Sequence, residues 1–310
     1  MLRTLAESLK NRIVGQDETV DRIVDTVYLS KVGLNPKNRP IGSFLFAGPT
    51  GVGKTELAKQ LAEHLGLKLL RLDMSEYMEK HSVSKLIGSP PGYVGYDQGG
   101  LLTDSIEKNP HSILLLDEIE KAHSDLYALL LQILDYGKVT DSTGKEIDCK
   151  HLIIILTSNV GGTDCSKTSI GFGTERETNF EKAEESISQK FLPELRNRLD
   201  GIMVFNPLNQ GNVQSIYKHF LEVAEQNLAE QGVRIEISSE AESWFIKEGY
   251  SETFGARPME RLIQKHILLP IAKEMLLVSK KTTVQRYKVD LKEETIKITR
   301  IENKKKAHSL

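Results

Sequence analysis

The chain has 310 residues, 39% hydrophobic and 27% charged, with 41 basic against 43 acidic side chains and a net charge of −2. That length exceeds the roughly 100–200 residues of one domain, so two domains are expected. The balanced charge excludes a general pull toward nucleic acid or an anionic membrane surface. No apolar run approaches the ~18 residues of a membrane span, and Met1-Leu2-Arg3-Thr4-Leu5 lacks the apolar core of a signal peptide. Cys149 and Cys165 form no C-x-x-C pair, and Cys149 near His151 is too sparse for zinc. Two free thiols in a reducing cytoplasm are expected, with neither nucleic acid nor membrane as partner.

Residues 1–12 read as an amphipathic linker, with Leu2, Leu5 and Leu9 on one face. After Ile13-Val14-Gly15-Gln16, the residues Val20, Ile23, Val24, Val27 and Tyr28 recur at the spacing of a half-buried helix. Gly33 and the segment from Pro36 to Pro40 end it. Ser43 to Ala47 predicts a buried strand, and Leu57, Ala58, Leu61, Ala62 and Leu65 a helix stopped by Gly66. Leu67 to Leu72 is a second strand, running into a turn at Asp73-Met74-Ser75-Glu76. Ile87 to Gly100 is too rich in Gly and Pro to be anything but a loop, yet it carries Tyr93, Val94 and Tyr96. A helix resumes over Leu101 to Lys108. Ile113 to Leu116 and Leu152 to Leu156 are continuous aliphatic strands, as in a parallel sheet covered on both faces. Between them, Leu126, Leu129, Leu130, Ile133 and Leu134 predict a helix, and Asp135 to Lys150 a hairpin. Residues 160–180 are polar and glycine-rich; helix is expected again near Phe180, then a short strand over Ile202 to Phe205.

Asn206-Pro207 marks the predicted domain boundary. Beyond it, Val213 to Leu228 predicts a long helix, Val233 to Ile237 a strand, and Trp244 to Ile246 a short helix. Met259 to Met275 predicts another helix, and Tyr287 to Leu291 with Thr295 to Thr299 a closing hairpin. Lys304-Lys305-Lys306 reads as a solvated tail. The expected organisation is a linker at 1–12, a large domain at 13–206, a small domain at 207–302 and a tail at 303–310.

Between the first strand and its helix lies Gly48-Pro49-Thr50-Gly51-Val52-Gly53-Lys54-Thr55, which fits G-x-x-x-x-G-K-[ST]. Strand, glycine loop and helix N-terminus together make a phosphate cradle of backbone N–H groups at the positive end of a helix dipole. Lys54 would reach the β/γ-phosphates of a nucleotide, and the Thr55 hydroxyl would hold Mg²⁺. Two further strands end in polar residues at the edge where α/β sheets bind ligands: Asp117-Glu118 and Asn159. Asp117 is placed to hold Mg²⁺ through water, Glu118 to polarise an attacking water, and Asn159 to orient it. The alternatives are solvated acids capping a strand, and an asparagine serving only a turn.

With Thr157-Ser158-Asn159, Asn197-Arg198 and Gly255-Ala256-Arg257-Pro258 added in order, the set resembles an AAA+ ATPase. Val14-Gly15-Gln16, Asp73 to Met78, Gly92-Tyr93-Val94-Gly95 and Leu114 to His123 extend the likeness to the second ATPase module of the Clp unfoldases, the ClpA type most closely. The resemblance spans about residues 5–300. It implies an α/β fold: a P-loop parallel-sheet large domain followed by a smaller mixed α+β C-terminal domain. It implies ATP and Mg²⁺ as cofactors, with Ile13 and Val14 beside the adenine. Arg257 would be the sensor-two arginine and Arg198 the arginine finger offered to a neighbour in a homo-hexamer, Arg196 being a weaker candidate. Pairing of Arg198 with Asp200, or a helix-capping role for Arg257, are the structural alternatives.

The resemblance makes Tyr93, with Val94, the pore-loop aromatic that grips polypeptide. A flat apolar face between glycines needs no particular partner sequence, and an aromatic grip without a basic cluster suits polypeptide better than a phosphate backbone. A core tyrosine at a loop base is the alternative. The hairpin at 135–150 is a weaker candidate for a second pore-facing loop. Ile170-Gly171-Phe172 resembles the loop by which Clp ATPases dock on the ClpP peptidase; a loop anchored to its own domain is the alternative. No G-x-S-x-G or H-E-x-x-H motif is present, so proteolysis would belong to a partner. The expected activity is ATP-driven unfolding and translocation of tagged or unfolded polypeptide into a ClpP-type peptidase. The rivals are a disaggregase chaperone working without a peptidase, a nucleic-acid motor or clamp loader, and an inactive nucleotide binder. The likeness also implies an amino-terminal domain and a first ATPase module outside these 310 residues.

Overall fold

Aliphatic runs that can be buried on both faces become the strands of one parallel sheet, and this sheet sets the position of everything that follows. In the computed structural model β1 (Gly42–Ala47), β3 (Ser112–Asp117) and β6 (Ile153–Ser158) are buried along their whole length. They lie between β2 (Lys68–Asp73) and β7 (Gly201–Val204) in the order β2-β3-β6-β1-β7, with every neighbouring pair parallel. The structure describes residues 4–34, 36–88, 99–161, 175–251, 254–277 and 285–301; for 175–180 it describes the backbone alone. The chain divides into two compact units, Met1–Pro207 and Leu208–Leu310.

In the first unit the register places Asp73 opposite Asp117, Leu116 opposite Leu156 and Ala47 opposite Ser158. The residues following β1, β3 and β6 therefore emerge at one carboxyl edge. The helices are α1 (Leu5–Arg12), α2 (Asp17–Lys31), α3 (Lys54–Leu65), α4 (Lys80–Ile87), α5 (Leu101–Lys108), α6 (Ser124–Tyr136), α7 (Glu175–Lys190) and α8 (Pro193–Arg196). The core joins Leu114, Leu116, Ile154 and Leu156 of the sheet to Leu126, Leu130 and Ile133 of α6. β7 is tied to β1 by Asp200, whose Oδ2 accepts from the Ser43 N–H at 2.8 Å and the Ser43 hydroxyl at 2.7 Å.

Two differences from the sequence reading have local causes. Residues 5–12, read as part of a linker, form α1 within the first unit, because Leu5 and Leu9 are both buried there. The helix expected near Phe180 begins at Glu175, in a polar stretch without apolar spacing to reveal it. The expected hairpin is present as β4 (Lys138–Thr140) and β5 (Glu146–Asp148), paired antiparallel.

The second unit is the smaller mixed one. α9 (Gln210–Glu230) starts from a reciprocal Asn209–Asn212 capping box and leads to β8 (Val233–Ile237). α10 (Ser239–Glu248), capped by Ser238, is followed by α11 (Arg257–Ile263) and α12 (Leu269–Leu277). A π-helical turn at Gln264–Leu268 joins the last two. β9 (Gln285–Lys292) and β10 (Thr295–Ile301) form the expected hairpin, and β8 adds to β9 in parallel. Tyr217, Phe245, Met259, Ile263, Ile271 and Tyr287 fill the interior. The two units have the architecture expected from the sequence. Among the described residues no helix is long and apolar enough to cross a membrane.

Candidate nucleotide site at the carboxyl edge of the sheet

The loop from Gly48 to Gly53 leaves the end of β1 and enters α3 at Lys54, so the first N–H groups of that helix face the loop. Gly48, Gly51 and Gly53 all carry positive φ. Gly48 also passes so close to Phe205 that an added Cβ would stand 2.6 Å from its carbonyl oxygen. The Lys54 side chain is buried under this loop. Its ammonium donates to the carbonyls of Gly48 at 2.6 Å and Pro49 at 2.7 Å, and to Asn159 Oδ1 at 3.1 Å. A buried ammonium set among backbone carbonyls beneath a glycine loop is a site for an anion. Ile13, 3% exposed, borders the same loop, with Cγ2 3.5 Å from where a Gly53 Cβ would be; Val14 is half-buried.

Asp117, at the end of β3, is buried and divided between two sets of partners. Oδ1 accepts from the Thr157 hydroxyl and, at 3.4 Å, from the Thr55 hydroxyl. Oδ2 pairs with Arg71 Nη2 at 2.6 Å. A hydroxyl and a carboxylate oxygen side by side at the mouth of a phosphate loop are the hard oxygen donors that Mg²⁺ takes. Thr55 and Asp117 thus fit the ion, and the glycine cradle with Lys54 fits the phosphates of ATP.

Glu118 turns the chain out of β3 in the left-handed region, with φ 58° and ψ 50°. That costs a non-glycine residue about 1–2 kcal/mol, offset by its N–H donating to the Thr157 hydroxyl at 3.1 Å. The turn aims its half-buried side chain toward Asn159, whose Nδ2 donates to Oε1 at 3.4 Å. Oε2 accepts from the Ser75 hydroxyl at 3.2 Å and pairs with Lys121. Asn159 Oδ1 accepts from Lys54 and, at 3.3 Å, from the Thr50 hydroxyl. The orientation of that amide follows from its neighbours: an ammonium only donates and a carboxylate only accepts. The Asn159 backbone N–H is held in turn by Glu120 Oε1 at 3.0 Å.

The structure therefore brings Thr50, Lys54, Thr55, Asp117, Glu118 and Asn159 together. It adds Arg71, Ser75, Glu120, Lys121 and Thr157, to none of which the sequence reading gives a role of its own. Asp73 supports the added set. The Ser75 N–H beside it, helped by the Arg71 and Lys121 charges, holds its carboxyl below the usual carboxylate range. The Glu118 carboxylate raises the Lys121 ammonium above its ordinary value, so Lys121 is a cation at neutral pH. Arg198 lies away from this cluster. Its Nε donates to both Asp135 oxygens, at 2.6 and 2.7 Å, and Nη1 to the Glu194 carbonyl at 2.9 Å. Asp200, the partner suggested for it by proximity in sequence, binds Ser43 instead. Arg196 is half-buried, with Nε enclosed and without a hydrogen-bond partner among the described residues. In the second unit Arg257 is exposed on the first residue of α11. Tyr93, Val94, Ile170, Gly171, Phe172, Cys165 and the tail at 303–310 lie outside the described residues.

The family model for the AAA domain (Cdc48 subfamily) matches residues 39–202. The chain belongs to the AAA family. The model for the C-terminal, D2-small domain of ClpB protein matches residues 208–289, and that order is the order of the second module of a Clp unfoldase. The Clp-type AAA module is 49% identical over 295 residues to a ClpA homolog protein of Fuscovulum blasticum, covering 95% of this chain and 37% of that protein. It is 47% identical over 278 residues to the chaperone protein ClpB of Staphylococcus epidermidis, covering 89% of this chain and 32% of the relative. For the chaperone protein ClpB of Staphylococcus aureus the match is 46% over 275 residues, covering 88% and 32%. The module spans about a third of the length of these relatives.

Proposed function

We propose that this AAA module hydrolyses ATP and uses the energy to unfold polypeptide and thread it through a ring pore into a ClpP-type peptidase. The observation that carries the ATPase part is the Asn159 amide, which joins Lys54 on one side to Glu118 on the other. A group that binds terminal phosphates and a group that takes a proton from water are thereby held on one bridge. Backbone N–H groups of the Gly48–Thr55 loop and the Lys54 ammonium bind the β/γ-phosphates. Thr55 and Asp117 would hold Mg²⁺, which neutralises phosphate charge when bound. Glu118 accepts a proton from water as the water oxygen bonds to the γ-phosphorus. The bond to the β-phosphate oxygen breaks, leaving ADP and phosphate.

The remaining roles rest on the family likeness. Arg198 would complete a neighbour's site in a homo-hexamer, Arg257 would act as the sensor-two arginine, and Tyr93 with Val94 would grip the substrate. Ile170-Gly171-Phe172, two large apolar side chains about a glycine in a polar stretch, supports docking to the peptidase. So does the ClpA homolog among the relatives. The second reading is a disaggregase chaperone without a peptidase, which the ClpB small-domain match and the staphylococcal relatives favour. Deleting residues 169–173 separates the two. Under the peptidase reading the deletion leaves ATP hydrolysis intact and abolishes co-sedimentation with a ClpP-type ring. Wild-type chain that hydrolyses ATP and fails to bind the ring favours the disaggregase.

A further inference from the structure

The two oxygens of the Glu118 carboxylate face different surroundings. Oε1 meets Asn159 Nδ2, and through that amide it neighbours Lys54 and Thr50 of the phosphate loop. Oε2 faces the turn after β2, where it meets Ser75 and Lys121. The donors there close a triangle of consistent direction. Lys121 Nζ donates to Glu118 Oε2 and, at 3.4 Å, to Ser75 Oγ, whose hydrogen is shared between Oε2 at 3.2 Å and the neighbouring Asp73 carboxylate. Each corner is fixed from the backbone. Ser75 sits in a 3-10 turn, and its own N–H donates to the capping Asp73 carboxylate at 2.9 Å. Lys121 ends a second 3-10 turn, its N–H bonded to the Glu118 carbonyl at 3.0 Å. In that geometry residues three apart lie one above the other, so the Lys121 ammonium comes to lie on the carboxylate three residues before it.

We infer that Lys121, with Ser75, is a positioning residue for ATP hydrolysis: it holds the far oxygen of Glu118 so that Oε1 is presented to the phosphate loop. The inference rests on the ATPase reading above. It assigns Lys121 no contact with nucleotide. A carboxylate has about four lone-pair directions, and an unrestrained glutamate would spread them over several rotamers. Occupying Oε2 from two sides leaves Oε1 as the oxygen available to water. The ion pair is partly exposed, with the Lys121 side chain 44% accessible, so its worth to fold stability is small. Its effect is to be read in the rate.

The test uses the full chain and compares steady-state ATP hydrolysis in wild type, Lys121→Met, Lys121→Arg, Ser75→Ala and Glu118→Gln, with fluorescent ATP-analogue binding and a thermal melt for each. Lys121→Met is expected to lose about 10–100-fold in kcat, the scale of a misplaced reacting group. Its KM, nucleotide affinity and Tm are expected to stay near wild type. Ser75→Ala is expected to lose less, and Lys121→Arg, which restores the cation, to recover most of the rate. A Lys121→Met kcat within threefold of wild type, with Glu118→Gln inactive, overturns the inference and leaves the ATPase reading standing. So does a Lys121→Arg enzyme as slow as Lys121→Met. A wild-type chain without hydrolysis, or an unimpaired Glu118→Gln, overturns both.

Discussion

Replacing Gly48 by alanine tests the idea that the phosphate loop is shaped by the end of the neighbouring strand. The added Cβ would stand 2.6 Å from the Phe205 carbonyl oxygen and 3.1 Å from the Phe205 Cβ, at a φ of 141°. Phe205 cannot retreat at low cost. It is fully buried, its N–H donates to Ala47 O at 2.8 Å, and its ring packs 5.2 Å from that of Phe46. Overpacking of this kind costs about 1–3 kcal/mol, and a non-glycine residue at such a φ about 1–3 kcal/mol more. A unit of this size moves ~2–4 °C in Tm per kcal/mol, so a fall of about 5–20 °C is expected. Gly66→Ala is the control: its φ of 65° is also positive, but nothing lies within 4 Å of the added Cβ. That change costs about 1–2 kcal/mol, or a few degrees. Thermal melts by circular dichroism without nucleotide compare the two. A Gly48→Ala melt within 3 °C of wild type, or equal to that of Gly66→Ala, would refute the steric argument.

Other changes address the chemistry and the pH response. Asn159→Ala removes the bridge from Lys54 to Glu118, so kcat for ATP hydrolysis is expected to fall ~10–100-fold while nucleotide affinity changes little; a stopped-flow binding trace beside a phosphate-release assay separates the two. Burial pushes the Cys149 thiol up to about 12. At pH 8 only about one molecule in ten thousand would be thiolate, so iodoacetamide is expected to label Cys149 after denaturation and not before, as read by peptide mapping. The Asp73 carboxyl is held below its ordinary range in the folded chain. The stability it contributes is therefore complete above that range and is lost as pH falls through the lowered value. Asp73→Asn removes this dependence, so Tm is expected to fall less steeply with acid in the variant, and the two curves to converge at the acid end.

Much of the frame was legible because burial on both faces leaves a plain mark. The runs at 43–47, 113–116 and 152–156 became β1, β3 and β6, each extending at most one or two residues further. Lys54, Asp117, Glu118 and Asn159 could be placed at one edge because each lies at or just beyond the end of a strand, and parallel strands deliver their ends to one edge. The strand order and the crossovers were not legible, since no local pattern records which strand lies beside which. For the same reason β8 was read as a strand, while its parallel pairing with β9 was not foreseen. The helix expected over 259–275 is interrupted by a π-helical turn, which leaves the apolar spacing almost unchanged. Arg71 did leave a signal, a charge in the interior of β2 between Leu70 and Leu72. Its meaning depended on the register that sets β2 against β3. Lys121 carried a signal as well, at i+3 from Glu118, which becomes a contact only once the turn is known to be 3-10. The Arg198–Asp135 pair spans 63 positions and no local rule would join them.

We propose that this site hydrolyses ATP with Glu118 as the proton acceptor. The most direct measurement incubates wild-type chain and Glu118→Gln with radiolabelled ATP, then identifies the bound nucleotide after rapid gel filtration. Wild type is expected to release ADP and phosphate. Glu118→Gln is expected to retain intact ATP at near wild-type affinity, with hydrolysis reduced ~100-fold or more. Hydrolysis by the variant at the wild-type rate would show that Glu118 is not the proton acceptor.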